Sequence, residues 1–320
     1  MRYVVRRLTH AVLILLAISF LSFALLQWAP GDFLDELRMN PRVSAQTVEG
    51  LRDKYGLDEP FPIRYARWVQ STFKGDMGFS FTYNGPVGPL LWTRARNTLM
   101  LTGISTLIAW AVALPLGIWS AARRGRWDDR LFSAATSTLL AVPDLLLFLL
   151  LLLLAARTGW FPAGGMASAG FDDLSAWDKV KDVCLHFALP SMGLAVVTVP
   201  ILVRHIRAAM IETLGSPFIR AARGHGVAQS RLLWRYALPA SSNPLISLLG
   251  LSIAGMLSAS AIAEVVLSWP GLGPLMVQSV LGRDVYVVLA VVMLSSVFLV
   301  LGNLFADLLL FASDPRIRVE

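Results

Sequence analysis

Three carboxylates, Asp144, Glu264 and Asp307, stand inside long apolar stretches of this 320-residue chain. A charged side chain left in hydrocarbon costs roughly 2.5 to 3.5 kcal/mol or more, so each marks a functional candidate. Asp144 follows Pro143 in a very apolar stretch, where a carboxylate can line a polar path and face a cation such as a peptide amino terminus or a metal ion. The competing role is to cap backbone amides that Pro143 leaves open. Glu264 and Asp307 suit hydrogen bonding between helices better than contact with a substrate. His10, His186, His205 and His225 offer no metal-ligand spacing and read as surface residues. Cys184 is the single cysteine, which leaves no disulfide and no thiolate metal site within the chain. No Gly-x-x-x-x-Gly-Lys-Ser/Thr phosphate loop occurs, and no lysine follows a glycine. An enzyme working inside a membrane would require a nucleophile or paired acids.

Helices of membrane length must hold these side chains. Apolar residues make up 56% of the chain, charged ones 15%, and the mean hydropathy is +0.62, values of a multispanning membrane protein. A hydrocarbon core needs roughly 20 helical residues. Six segments qualify: about His10 to Ala29, Thr98 to Ala121, Leu131 to Ala156, Phe187 to Met210, Leu245 to Leu267 and Val285 to Phe311. Arg2, Arg6 and Arg7 ahead of the first suggest a secretory signal, but its apolar stretch is too long and no small-x-small site precedes Pro30, so it reads as a retained span. Leu145 to Leu154 reads as a lipid-facing or packing surface, and Trp28, Trp127, Trp160 and Trp269 as interfacial belt residues.

The net charge of +7 forms no patch for nucleic acid, because the basic residues flank apolar runs and report topology. Arg123, Arg124, Arg126 and Arg130 crowd the second-to-third connection. Arg204, Arg207, Arg220, Arg223, Arg231 and Arg235 surround the fourth-to-fifth, whereas the fifth-to-sixth carries only Arg283. The positive-inside bias puts the crowded connections in the cytoplasm together with both termini, the tail carrying Arg316 and Arg318. Residues 30–97 then form a small ordered domain outside. Val48, Leu51 and Tyr55 predict one amphipathic helix there, stopped by Gly56, and Pro62 opens a second that bears Ile63, Ala66, Val69 and Phe73 up to Gly75.

The polar stretch Ser216 to Pro239, between the fourth and fifth spans, is longer than a connection needs and suggests a docking surface. Ser216 is a candidate N-cap and Pro217 suits the first helical position, so a short helix should cover Phe218 to Arg223 before Gly224 and Gly226 break it. A second helix is predicted from about Ser230 through Leu232, Leu233 and Tyr236 to Pro239. The tight turn at Gly226 needs the backbone freedom of glycine. DNA recognition by this helix-turn-helix is set aside, since spans tether it at both ends and its arginines follow from topology.

The spacing Ala221-Ala222, Gly226 and Leu238-Pro239, between spans, resembles the EAA loop of permease subunits of binding-protein-dependent ABC importers. Pro30-Gly31-Asp32, Tyr55-Gly56-Leu57-Asp58 with Pro60, and Gly75-Asp76-Met77-Gly78 with Ser80 resemble outer-domain signatures of the dipeptide, oligopeptide and nickel permease class. Glu264, Ser268-Trp269-Pro270-Gly271-Leu272-Gly273, Arg283-Asp284, Asn303, Asp307 and Asp314-Pro315-Arg316-Ile317-Arg318 are similar to the same class, so the likeness covers nearly the whole chain. It implies an all-α polytopic protein of the bacterial inner membrane, with six transmembrane helices in the type I importer permease fold and a small extracytoplasmic helical domain. Its parts would be an N-terminus and first helix at 1–29, the outer domain at 30–97, a five-helix core at 98–311 containing an ATPase-coupling loop at 212–240, and a tail at 312–320.

The mechanism the resemblance implies is coupling. The short loop helix enters a groove of a cytoplasmic ATPase subunit, and closure of the ATPase pair around ATP moves the spans so that a central site opens to alternate sides. Phe218, Arg220, Ala221, Ala222, Arg223, Gly224, His225, Gly226, Leu238 and Pro239 are the coupling residues on this reading, and Asp144 is the candidate for the translocation path. ATP and magnesium would sit on partner ATPase subunits, with no cofactor on this chain. The other implied partners are a second permease subunit, two ATPase subunits or domains, a substrate-binding protein near residues 30–97 and the lipid bilayer. Arg220 stands where the general motif has Glu, Gly224-His225-Gly226 replaces Ala-Lys-Gly, and Pro239-Ala240 replaces an Arg-Asn pair. Peptides are the implied cargo, with nickel or another small solute as the alternative. A secondary transporter would explain the spans alone, but it should carry an internal repeat with broken helices, and no repeat is found.

Overall fold

The computed structural model describes residues 2–28 and 59–313, together with residues 46, 49 and 50. The helix expected around Val48, Leu51 and Tyr55 lies outside the described residues, as do Pro30-Gly31-Asp32, Tyr55 to Asp58 and the motif from Asp314. In chain order the helices are α1 (Arg2–Trp28), α2 (Phe61–Phe73), α3 (Val87–Ala122), α4 (Trp127–Leu140), α5 (Asp144–Thr158), α6 (Ala176–Leu214), α7 (Pro217–Gly224), α8 (229–240), α9 (Ser242–Val266), α10 (Leu272–Leu281) and α11 (Val285–Ser313). Two short strands, β1 (Phe79–Ser80) and β2 (Gly85–Pro86), pair antiparallel ahead of α3, with Phe79 opposite Pro86 and Ser80 opposite Gly85.

Among the described residues, α3, α6, α9, α11 and the stretch Arg6–Leu26 of α1 are long and apolar enough to cross a membrane. The third expected span is not one helix. It divides into α4 and α5, bent by 95° across residues 141–143. Pro143 has no N–H to continue the ladder and disfavours helical backbone at Val142, so the helix stops and a new one begins at Asp144. The fifth-to-sixth connection also holds a short apolar helix, α10, that the span pattern did not separate.

The chain divides into two compact units: Met1–Asn97 with Pro270–Phe298, and Thr98–Trp269 with Leu299–Glu320. In the first, α2 lies on α1 through aromatic rings. Phe23 meets Phe61, Tyr65 and Trp68 at centroid distances of 5.6, 5.6 and 5.8 Å, and Ser19 Oγ shares a hydrogen bond with the Tyr65 hydroxyl at 2.8 Å. The buried face of α2 is therefore Phe61, Tyr65 and Trp68, spaced i, i+4 and i+7. Of the expected face, Ile63, Ala66 and Phe73 are exposed, and Val69 alone packs half-buried against the same cluster. Helix α2 does begin at its proline as expected, and Gly75 follows its end at φ +85°. The hairpin is fixed by Asp284, whose buried carboxylate accepts from Ser80 Oγ at 2.6 Å and Thr82 N at 3.1 Å. Gly78 has φ +93°, and a Cβ there would come 2.8 Å from the Tyr286 ring.

The second unit is built around α6, which touches α4, α5, α7 and α9. Leu194, Leu202, Ile206 and Met210 of α6 are fully buried with Phe148 and Met256. Backbones approach closely where glycine permits, as small residues do between membrane helices. A Cβ on Gly117 would lie 2.7 Å from Ile206 Cγ2, and one on Gly250 would lie 2.6 Å from Ala306 Cβ. Glu264 is buried and accepts from Thr98 Oγ1 at 2.6 Å, the link between helices expected of it. Trp269 is no belt residue: it is fully buried against Phe187, ring centroids 5.6 Å apart. His186 is also buried rather than on the surface, its Nδ1 2.9 Å from the carbonyl of Asp182.

Candidate functional site

Helix α6 runs without a break to Leu214, and the hairpin α7–α8 begins at Pro217, after two intervening residues. Ser216 takes extended backbone as the N-cap of α7, but its Oγ turns back to donate to Thr213 O at 2.6 Å rather than capping α7. Pro217 occupies the first helical turn as expected. At the other end Gly226 N donates to Arg223 O at 3.0 Å and Val227 N to Ala222 O at 3.3 Å, while Gly226 has φ +77°. That pair of bonds around a left-handed residue is a Schellman stop, with Val227 and Ala222 both half-buried beside it. Gly224 lies inside the helix without a positive φ, so Gly226 alone of the two expected breakers makes the turn.

Helix α8 is less regular than the sequence suggested, since Leu232–Ala237 winds as a π-helix between two short α-helical pieces. Such single π-turns recur at functional sites. Three side chains fasten the hairpin to the unit: Ile219, Leu232 and Ala237 are fully buried, and Ser241 Oγ reaches Met210 Sδ at 3.3 Å. The remaining surface faces outward. Phe218 is 49% exposed and Trp234 50%, and Arg220, Ala221, Arg223, Gly224, His225 and Gly226 are exposed with them. Residues 217–240 contain Arg220, Arg223, Arg231 and Arg235 and no acid. The hairpin is a cationic, aromatic-edged element at the end of a long helix.

The sequence matches two family models. Residues 113–319 fit the inner membrane component of binding-protein-dependent transport systems, and residues 1–102 fit the N-terminal part of such membrane components. The chain belongs to this family. The oligopeptide transport system permease protein AppB of Bacillus subtilis is 35% identical over 99% of both chains. The oligopeptide permease protein OppB of Mycobacterium tuberculosis is 31% identical over 100% of this chain and 99% of that one. The glutathione permease protein GsiC of Escherichia coli is 32% identical over the full length of both. Among solved structures, an inward-facing methionine ABC transporter, MetNI, has a chain that superposes with a TM-score of 0.59 at 19% identity, covering 70% of this chain and 96% of that one. The fold is that of the type I importer permease, as the motifs implied.

In this permease component the expected coupling residues from Phe218 to Gly226 fall on α7 and its turn, all exposed except Ala222, which is half-buried. Leu238 and Pro239 sit at the far end of α8, where Leu238 is half-buried against the core and Pro239 is exposed. Asp144 is the first residue of α5, at the bend, and half-buried. Its carboxylate makes no hydrogen bond to a described residue, so it does not cap through the bond that was the alternative expectation. Sequence reasoning missed Ile219, whose apolar side chain between Phe218 and Arg220 was the available signal. It also missed the cleft of ≈ 510 Å³ between the end of α6 and the start of α9, lined by His205, Glu212, Phe218, Pro244 and Leu248 among others.

Proposed function

We propose that this chain forms half of the translocation pathway of an ATP-driven importer and that the α7–α8 hairpin docks into an ATPase subunit. The observation that carries this reading is the hairpin itself: a Schellman-stopped helix, fastened by Ile219, that presents Phe218, Arg220, Ala221, Arg223, Gly224 and His225 to solvent. Because residues 217–240 hold four arginines and no acid, the receiving groove is acidic. ATP and magnesium belong to the ATPase partners, and closing of the ATPase pair biases the spans between two states through the hairpin. The arginine-rich connections and both termini face the cytoplasm, which puts residues 30–97 outside as the surface met by a substrate-binding protein. The core occupies 98–311, the coupling loop 212–240 and the tail 312–320, and a second, related permease subunit completes the path.

Peptides are the cargo on this reading, supported by the names of the full-length relatives. Nickel or another small solute is the runner-up. A secondary carrier is disfavoured because the one bent span, α4 with α5, has no counterpart in another repeat among the described residues. Asp144 faces the path, since an unbonded carboxylate at a helix break in an apolar region suits a cationic amino terminus. The test is co-purification with ATPase subunits and transport of labelled oligopeptides by the reconstituted complex with its binding protein. Transport driven by an ion gradient without ATPase partners would overturn the reading. Asp144→Asn should abolish uptake of cationic substrates while leaving neutral ones and the folded complex intact; equal uptake of both classes would remove Asp144 from the path.

A further inference from the structure

A third buried carboxylate, besides Asp284 and Glu264, is bonded more completely than any sequence signal suggested. Asp129, in the first turn of α4, is 2% exposed. Its Oδ1 accepts from Arg207 Nε at 2.9 Å and from Ser120 Oγ at 2.6 Å, and its Oδ2 accepts from Arg207 Nη2 at 2.7 Å and from Gly125 N at 3.0 Å. One side chain thus joins the end of α3, the α3–α4 turn, the start of α4 and the last third of α6. Ser120 is itself fully buried. One residue before Arg207, Ile206 lies so close to Gly117 of α3 that a Cβ there would meet it at 2.7 Å. The fork on Asp129 and this backbone approach together block α6 from sliding or turning against α3. From Arg207 the helix continues unbroken to Leu214, about 10 Å at 1.5 Å per residue, and α7 follows. On the other side α4 leads into the 95° bend and Asp144.

A buried ion pair is a poor source of stability, because desolvation offsets most of its attraction, but a bidentate pair fixes geometry. We propose that Asp129 and Arg207 are a positioning pair, the strut by which displacement of α7 is passed through α6 to α3 and α4 during transport. This rests on the reading of α7 as the ATPase-docking helix. The pair acts through α6 and α4 on this proposal, and not by contact with substrate or ATPase.

The test uses the full complex in liposomes with its binding protein, an oligopeptide that the wild-type complex transports, and Asp129→Asn, Arg207→Gln and Arg207→Lys. Three quantities are read: assembled complex, ATP hydrolysed, and peptide transported per ATP. The strut requires that peptide per ATP fall about tenfold in Asp129→Asn and Arg207→Gln, in line with ordinary coupling strengths. Complex and hydrolysis should persist, Arg207→Lys should fall between, and the double variant should be no worse than either single. Unchanged peptide per ATP overturns it, and so does loss of assembly with the ratio constant, which would assign the pair to folding. Should the charge variants fail to assemble, Ser120→Ala keeps the ion pair and removes one bond, and it must still lower the ratio severalfold. A wild-type chain that binds no ATPase refutes the docking reading, whereas a coupled wild type with unaltered strut variants refutes the strut alone.

Discussion

Alanine at Gly226 places a Cβ on backbone at φ +77°, where a left-handed L-residue costs roughly 1–2 kcal/mol. Beyond its chain neighbours no atom lies within 4 Å of that Cβ, so the penalty is that of the local backbone and no tertiary clash adds to it. Alanine at Gly224 meets equally open space, but on helical backbone without positive φ. There it gains the helix propensity of alanine and loses unfolded-state freedom, a stabilisation of roughly 0.4–1 kcal/mol. The two substitutions, two residues apart, should therefore differ by about 2 kcal/mol and have opposite signs. The bond to read is Val227 N to Ala222 O, which closes the Schellman stop. Amide exchange at Val227 in the detergent-solubilised protein should quicken about fivefold or more in Gly226→Ala and slow severalfold in Gly224→Ala, at about 1.4 kcal/mol per factor of ten. Gly226→Asn should stay near wild type, because asparagine tolerates the left-handed region. If both alanines shift exchange the same way, or asparagine is as harmful as alanine, the turn is not set by the φ of Gly226.

Ile219→Ala removes the fully buried anchor of α7 and should cost about 2–5 kcal/mol locally, read as protease cleavage between Ser216 and Val227 and as loss of ATPase co-purification. Phe218→Ala, at a residue 49% exposed, should leave protease resistance unchanged yet weaken ATPase binding about tenfold or more in a pull-down titration. On α9, Gly250→Ala forces a Cβ to 2.6 Å from Ala306 Cβ and should lower the melting midpoint in detergent by a cost of about 1–3 kcal/mol. Gly255→Ala on the same helix meets nothing within 4 Å and should not lower it.

The long helices were legible because hydropathy over a membrane-length window needs no partner. The hairpin was legible because Pro217, Gly226 and Pro239 are local signals. The break at Pro143 was visible as a residue but not as a bend, since a hydropathy window reads α4 and α5 as one apolar run. On α2 both Ile63/Ala66/Val69/Phe73 and Phe61/Tyr65/Trp68 keep helical spacing, and the choice between them is made by Phe20 and Phe23 of α1, a partner that the period does not name. Trp269 and His186 followed belt and surface statistics for their residue types until Phe187 and the Asp182 carbonyl covered them. Two family-like signatures, Ser80 and Arg283-Asp284, proved to be one contact, since Asp284 binds Ser80 across 204 residues of sequence.

The arginines carry the same lesson further. Counted by position they report topology, and by that count Arg123, Arg207 and Arg220 are alike. In the folded chain they separate. Arg123 is bonded to Asp128 at 2.5 Å and lies over Trp119, and Arg207 is locked on Asp129. Arg220, Arg223, Arg231 and Arg235, all on the hairpin, make no ion pair with a described residue. An arginine paired with a buried carboxylate, as Arg207 is with Asp129, is screened much less by salt, whereas an unpaired exposed one acts on whatever approaches it and is screened within about 8 Å at physiological ionic strength. If the hairpin is the docking element, association with the ATPase subunit weakens as salt rises, while the α3–α4–α6 junction holds its geometry. A docking affinity independent of salt between low and high ionic strength would mean that the four hairpin arginines are topological after all and that Phe218 and its apolar neighbours alone make the contact.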